Sequence, residues 1–180
     1  HIKDNIGRTA LMWAAGDGKI ENCKILMKYH DINTVDDDGM TCLGYACMRD
    51  KLETMKMLVK EGADINVVTY GGHSLLMRAC EEGYLEIVRY LIISKVDVNL
   101  KSKCCCCTAL LLACENQHEK IIELLISEGA DINHCDTEEN SILKCSLGYK
   151  NKNIIKLLLE NNVDIPENCV YELINLEIDI

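Results

Sequence analysis

Residues 7–18 read GRTALMWAAGDG, and four further stretches fall into line with them: GMTCLGYACMRD (39–50), GHSLLMRACEEG (72–83), CCTALLLACENQ (106–117) and ENSILKCSLGYK (139–150). Their shared Thr or Ser stands at Thr9, Thr41, Ser74, Thr108 and Ser141, so the steps are 32, 33, 34 and 33 residues. A unit of about 33 residues is one supersecondary element that cannot bury its apolar face alone, so the period predicts stacked repeats sharing a continuous core. The expected fold class is all-α, one elongated solenoid domain.

Two short helices can be read in each copy. The first starts at the Thr/Ser anchor, a favoured N-cap whose hydroxyl accepts an otherwise orphaned backbone N–H. Two and five residues beyond the anchor stand Leu11 and Ala14, Leu43 and Ala46, Leu76 and Ala79, Leu110 and Ala113, Leu143 and Ser146. That i, i+3 pair marks a buried face whose small member lets a neighbouring helix approach. Gly18, Asp50, Gly83, Gln117 and Lys150 then break the helix. The second helix carries a longer apolar stripe: Ile20, Cys23, Leu26; Leu52, Met55, Leu58; Leu85, Val88, Leu91; Ile122, Leu125; Ile155, Leu158. It ends where a left-handed residue is wanted, met well by Gly62 and Gly129, tolerably by Asn162, poorly by Lys95 and His30.

The chain has 48% hydrophobic residues but no Phe, one Trp and one Pro, so the core must come from aliphatic side chains, Met, Ala and Cys. A formal net charge of -10 and the lack of any long Lys/Arg run disfavour a phosphate backbone as ligand and favour a protein partner with a basic patch. Of the twelve cysteines, Cys23, Cys47, Cys80, Cys114 and Cys145 lie within helical patterns, where Cys acts as a small hydrophobe. Together with the lack of an N-x-S/T acceptor and of any 18-residue apolar stretch, this points to a reducing, cytoplasmic setting without membrane insertion. The start at His1 in mid-pattern suggests a piece of a longer array, with a monomer or part of such an array expected.

The phase of G-x-T-x-L-x-x-A, a second helix ending in paired leucines, then EGADIN at 61–66 and again at 128–133, resembles the ankyrin repeat over residues 4–166. The resemblance divides the chain into repeats at about 4–35, 36–68, 69–101, 102–135 and 136–166, with 167–180 either a cap or the start of a further repeat. It implies antiparallel helix pairs, loops projecting as β-hairpin fingers, a concave face of fingers and first helices, and protein binding without catalysis. The sequence departs from the family pattern in lacking Pro after the anchor (Ala10, Cys42, Leu75, Ala109, Ile142) and His two positions later (Met12, Gly44, Met77, Leu111, Lys144). Lower stability than in an idealised array is expected. Copy one is a residue short near His30, copy four has one extra among Cys104–Cys107, and copy five has Glu139 in place of the finger Gly.

Function is sought where the repeat fails to repeat. Four beyond the anchor, on the inner side implied by the family fold, stand Trp13, Tyr45, Arg78, Leu112 and Cys145. Trp, Tyr and Arg dominate interface hot spots, although such side chains also serve to cover a neighbouring repeat. The next rows are Gly16, Met48, Glu81, Glu115 and Gly148, then Asp17, Arg49, Glu82, Asn116 and Tyr149. The fingers add Asp36-Asp37-Asp38, Tyr70 and Glu138-Glu139. The expected binding set is Trp13, Tyr45, Met48, Arg49, Arg78, Glu81, Leu112, Glu115, Asp37, Asp38 and Tyr70.

No GxSxG, P-loop, GxGxxG or HExxH motif occurs, so no catalytic residue, cofactor or metal is assigned. The run Cys104–Cys107 is the anomaly. On an extended segment its side chains alternate between faces and at most two point the same way, which leaves a composite site with His134 and Cys135 of the next finger sterically conceivable. Exposed low-complexity thiols, redox regulation and lipidation are the other readings of this run. A thiol-based metal or redox switch here, or an accessory role to a catalytic part outside residues 1–180, are the alternatives to protein binding. His73 reads as a turn residue.

Overall fold

A computed structural model describes residues 3–176. Helices come in pairs: α1 (Ala10–Gly16) with α2 (Ile20–Leu26), α3 (Cys42–Met48) with α4 (Leu52–Lys60), α5 (Leu75–Glu82) with α6 (Leu85–Ile93), α7 (Ala109–Glu115) with α8 (Glu119–Ser127), and α9 (Ile142–Gly148) with α10 (Lys152–Glu160). α11 (Glu167–Asn175) follows α10 directly and packs on α9 through Cys169 and Leu173, without an intervening finger. Among the described residues no helix is long and apolar enough to cross a membrane.

Every first helix is capped as the anchors predict. The side chains of Thr9, Thr41, Ser74, Thr108 and Ser141 accept the N–H groups of Met12, Gly44, Met77, Leu111 and Lys144. The Leu/Ala pairs, and Leu143 with Ser146, are all buried, and each first helix packs on the next. Cys47, Cys80 and Cys114 are buried with them, and burial pushes the thiols of Cys47 and Cys114 up to about 12. They stay neutral and pack as small hydrophobes. Second helices bury Cys23, Met55, Leu58, Val88, Leu91, Ile122, Leu125, Ile155 and Leu158 of the predicted stripe and add the preceding Ile87, Ile121 and Ile154, while Ile20, Leu26, Leu52 and Leu85 at the helix ends are half-buried.

The chain reverses between the paired helices on left-handed residues at all five predicted breaks, Gly18, Asp50, Gly83, Gln117 and Lys150. At the second-helix ends Gly62, Lys95, Gly129 and Asn162 are left-handed too. His30 is not, since copy one lacks the residue that would make the full turn. Beyond those ends, asparagines fasten one repeat to the next. Asn33 donates to Gly62 O and accepts from Asp64 N, and Asn99 donates to Gly129 O and accepts from Asp131 N.

The fingers stack in register, so side chains about 33 positions apart in sequence become neighbours. Backbone N–H groups of Asp37, Tyr70, Lys103 and Thr137 donate to the carbonyls of Ile6, Asp38, Gly71 and Cys105 in the preceding finger, at 2.9–3.2 Å.

Candidate functional site

Each finger is closed by an oxygen side chain at its first position. Asp4, Asp36 and Asp136 each accept two backbone N–H groups of their own turn, Thr69 accepts the His73 N–H and Ser102 the Cys107 N–H. This corrects one part of the expected acidic patch: Asp36 is 4% exposed and is a structural residue, while Asp37 and Asp38 are exposed. Its second oxygen accepts the Tyr45 hydroxyl at 2.6 Å. Burial, reinforced by that carboxylate, raises the phenol to about 12. Tyr45 is therefore a half-buried strut between finger and helix, and it lines the groove beside it.

That groove has a volume of about 380 Å³ and lies between the second and third fingers and helices α3 and α5. Asp38, Tyr45, Met48, Tyr70 and Arg78 line it, together with His73. Five residues chosen from three separate sequence rows thus meet in one concavity. Tyr70, 65% exposed, forms the outer lip. Arg78 donates to Glu81 at 3.0 Å, yet its Nε is buried without a hydrogen-bond partner among the described residues. An unsatisfied donor of this kind costs free energy that an incoming acceptor can recover once the side chain reorients.

Trp13, one repeat before Tyr45 and not among the groove's lining residues, is 43% exposed and has two cations near its ring, Arg8 at 4.1 Å and Arg49 at 5.7 Å from the centroid. Arg49 also reaches back to Asp17 at 2.7 Å, so it links copies one and two. Leu112 is the correction to the ladder: expected as an exposed rung, it is 8% exposed and belongs to the core. A leucine has no polar group to satisfy and is buried, whereas Tyr45 and Arg78, bonded to Asp36 and Glu81, stay half-buried. Beside it, burial and the charges of Asp136, Glu81 and Glu138 raise Glu115 above its ordinary value. Acidic side chains of three repeats therefore share one field.

The cysteine finger does not run extended. Cys106 is left-handed with φ 56°, and the extra residue of copy four closes the turn from Ser102 N to Cys107 O. The sulfurs of Cys104 and Cys105 lie 3.5 Å apart, those of Cys105 and Cys107 2.9 Å apart, and the Ser102 hydroxyl is 3.2 Å from Cys105. The hydrogen bonds from Cys107 and Ser102 outweigh burial and lower the Cys105 thiol below its usual range. The composite site with finger five that the sequence leaves conceivable does not come together among the described residues. His134 Nε2 contacts Cys106 O at 2.6 Å and the Cys135 thiol points to Asn133 O. It is His73, from finger three, whose ring nitrogen lies within 4.8 Å of the Cys104 and Cys105 sulfurs.

Two features escaped the sequence reading for different reasons. The finger caps Asp4, Asp36, Thr69 and Asp136 stand five residues before their anchors, so their period was available. The approach of His73 to Cys104 depends on the shape of a turn one residue longer than its counterparts, which no spacing discloses.

A family model described as ankyrin repeats in three copies matches residues 1–69 and 76–169. A 59-residue stretch is 41% identical to Inversin of Danio rerio, covering 31% of this chain and 6% of that relative. The chain thus spans a small fraction of the length of that relative.

Proposed function

The chain belongs to the ankyrin-repeat family, whose members are generally non-enzymatic protein-binding modules, and from that premise we propose that it binds a partner protein, or another segment of its parent chain, in the groove between fingers two and three. The observation that carries this reading is the convergence of Tyr45, Met48, Tyr70, Arg78 and Asp38 around one concavity of about 380 Å³. Tyrosine and arginine beside a flexible methionine make the mixed apolar and polar anchor set that interfaces use. Trp13 and Arg49 extend the face to one side. Exposed Asp37 and Asp38, with Glu81 and Glu115 beyond them, give it a negative border suited to a partner carrying lysines or arginines. Leu112 takes no part, being buried.

The net charge of -10 supports a protein rather than a nucleic acid as ligand, and the twelve free thiols support a reducing, intracellular setting. Affinity for a basic partner falls as salt rises, because the acidic border is exposed to screening. Quantitative affinity capture with the wild-type chain and with the Tyr70→Ala/Arg78→Ala double variant tests the reading. Proteins retained by the wild type and lost from an equally folded variant are the expected outcome. Identical capture profiles would place binding elsewhere.

A further inference from the structure

The geometry points to a zinc-binding site that joins the third and fourth fingers, with His73, Cys104 and Cys105 as its ligands. The ring nitrogen of His73 and the two sulfurs all lie within 4.8 Å of one another. Zinc bonds sulfur at about 2.3 Å and imidazole nitrogen at about 2.0–2.1 Å, so in a tetrahedron the ligand atoms stand roughly 3.6–3.8 Å apart. The 3.5 Å between the sulfurs of Cys104 and Cys105 is already close to that spacing.

Three features of the surroundings favour binding over mere proximity. The Lys103 N–H donates to Gly71 O at 2.9 Å, which fixes the two fingers beside the candidate ligands and limits what must be ordered on binding. Cys107 at 2.9 Å and the Ser102 hydroxyl at 3.2 Å surround the Cys105 sulfur and act as the outer shell that orients a ligand. The ligands are exposed or half-buried, so an ion can enter. Two thiolates and a neutral imidazole match the charge of a divalent ion and leave a fourth position open. Binding releases the thiol protons to solvent and forms two Zn–S bonds and one Zn–N bond.

Since His73 also lines the groove, the ion would tie the groove's rim to the next finger. The site is independent of the protein-binding reading, because it concerns other ligands and is tested without a partner.

The test is a Zn(II) titration of the reduced full chain against a chromophoric chelator, with elemental analysis after dialysis and Co(II) substitution read as a thiolate-to-metal charge-transfer band. One Zn(II) per chain is expected. Cys104→Ser, Cys105→Ser and His73→Gln should each weaken binding by more than the roughly 10–100-fold that loss of an outer-shell partner costs. Cys135→Ser should bind as the wild type does. A second measurement needs no variant: Zn(II) should protect Cys104 and Cys105 from alkylation, read by mass spectrometry, while Cys135 reacts at an unchanged rate. Absence of stoichiometric zinc, undiminished binding in Cys104→Ser/Cys105→Ser, or equal alkylation of Cys104 with and without Zn(II) would overturn the site.

Discussion

Asp36 accepts the N–H groups of Asp38 and Met40 and the Tyr45 hydroxyl, and so ties the turn of its own finger to helix α3. Its two neighbours in the acidic run, Asp37 and Asp38, keep their carboxylates in water. Substitution should therefore separate three residues that look alike in sequence. Asp36→Ala is expected to cost about 2–3 kcal/mol, since buried donors are left unpaired, and Asp37→Ala less than about 0.5 kcal/mol. Urea unfolding of the two variants checks the contrast. A run of three aspartates reads as solvated surface because composition carries no direction. Only the position of Asp36, five before Thr41, marks it as the repeat's recurring finger cap.

Helix ends form the next scale, and most of them were legible. The anchors, the small residues at the helix contact and the left-handed breaks recur at fixed phase, so their physical causes could be read from any one copy. Lys95 shows where the pattern is met at a cost, because it takes φ 60° at the end of α6 where the equivalent position after α8 is Gly129. A side chain in that region costs roughly 1–2 kcal/mol, partly offset by the greater unfolded-state freedom of glycine. Lys95→Gly is expected to stabilise the array by about 0.5–1 kcal/mol, raising Tm by roughly 1–4 °C, as calorimetry would show. The cysteine finger was not legible at this scale. On an extended segment the side chains alternate, whereas the inserted residue turns the chain and gathers sulfurs that alternation would keep apart.

Over the whole molecule, stacking turns sequence period into spatial proximity, and this is how Tyr45 and Met48 of one copy come to face Tyr70 and Arg78 of the next. The same proximity concentrates negative charge around Glu115. Its folded-state affinity for a proton is raised by burial and by Asp136, Glu81 and Glu138, so protonation favours the folded chain. The stability this gives is fully present below the unfolded value, ordinarily 4.5, and is lost as pH rises through the raised folded value. Glu115→Gln is therefore expected to raise Tm at neutral pH, with the gain shrinking towards zero below 4.5, in thermal melts across that range.

The array also exposes Ile25 and Ile93 on the second helices and Tyr29 in the turn after α2, none of which lines the groove. That gives the central claim a direct competitor on the same molecule. A photo-crosslinking residue placed at Met48, in the groove, or at Ile93, 78% exposed on α6, reports which face meets the partner. Crosslinks to captured protein from Met48 and none from Ile93 are the result expected of a groove-binding module; crosslinks from Ile93 with none from Met48 would contradict it.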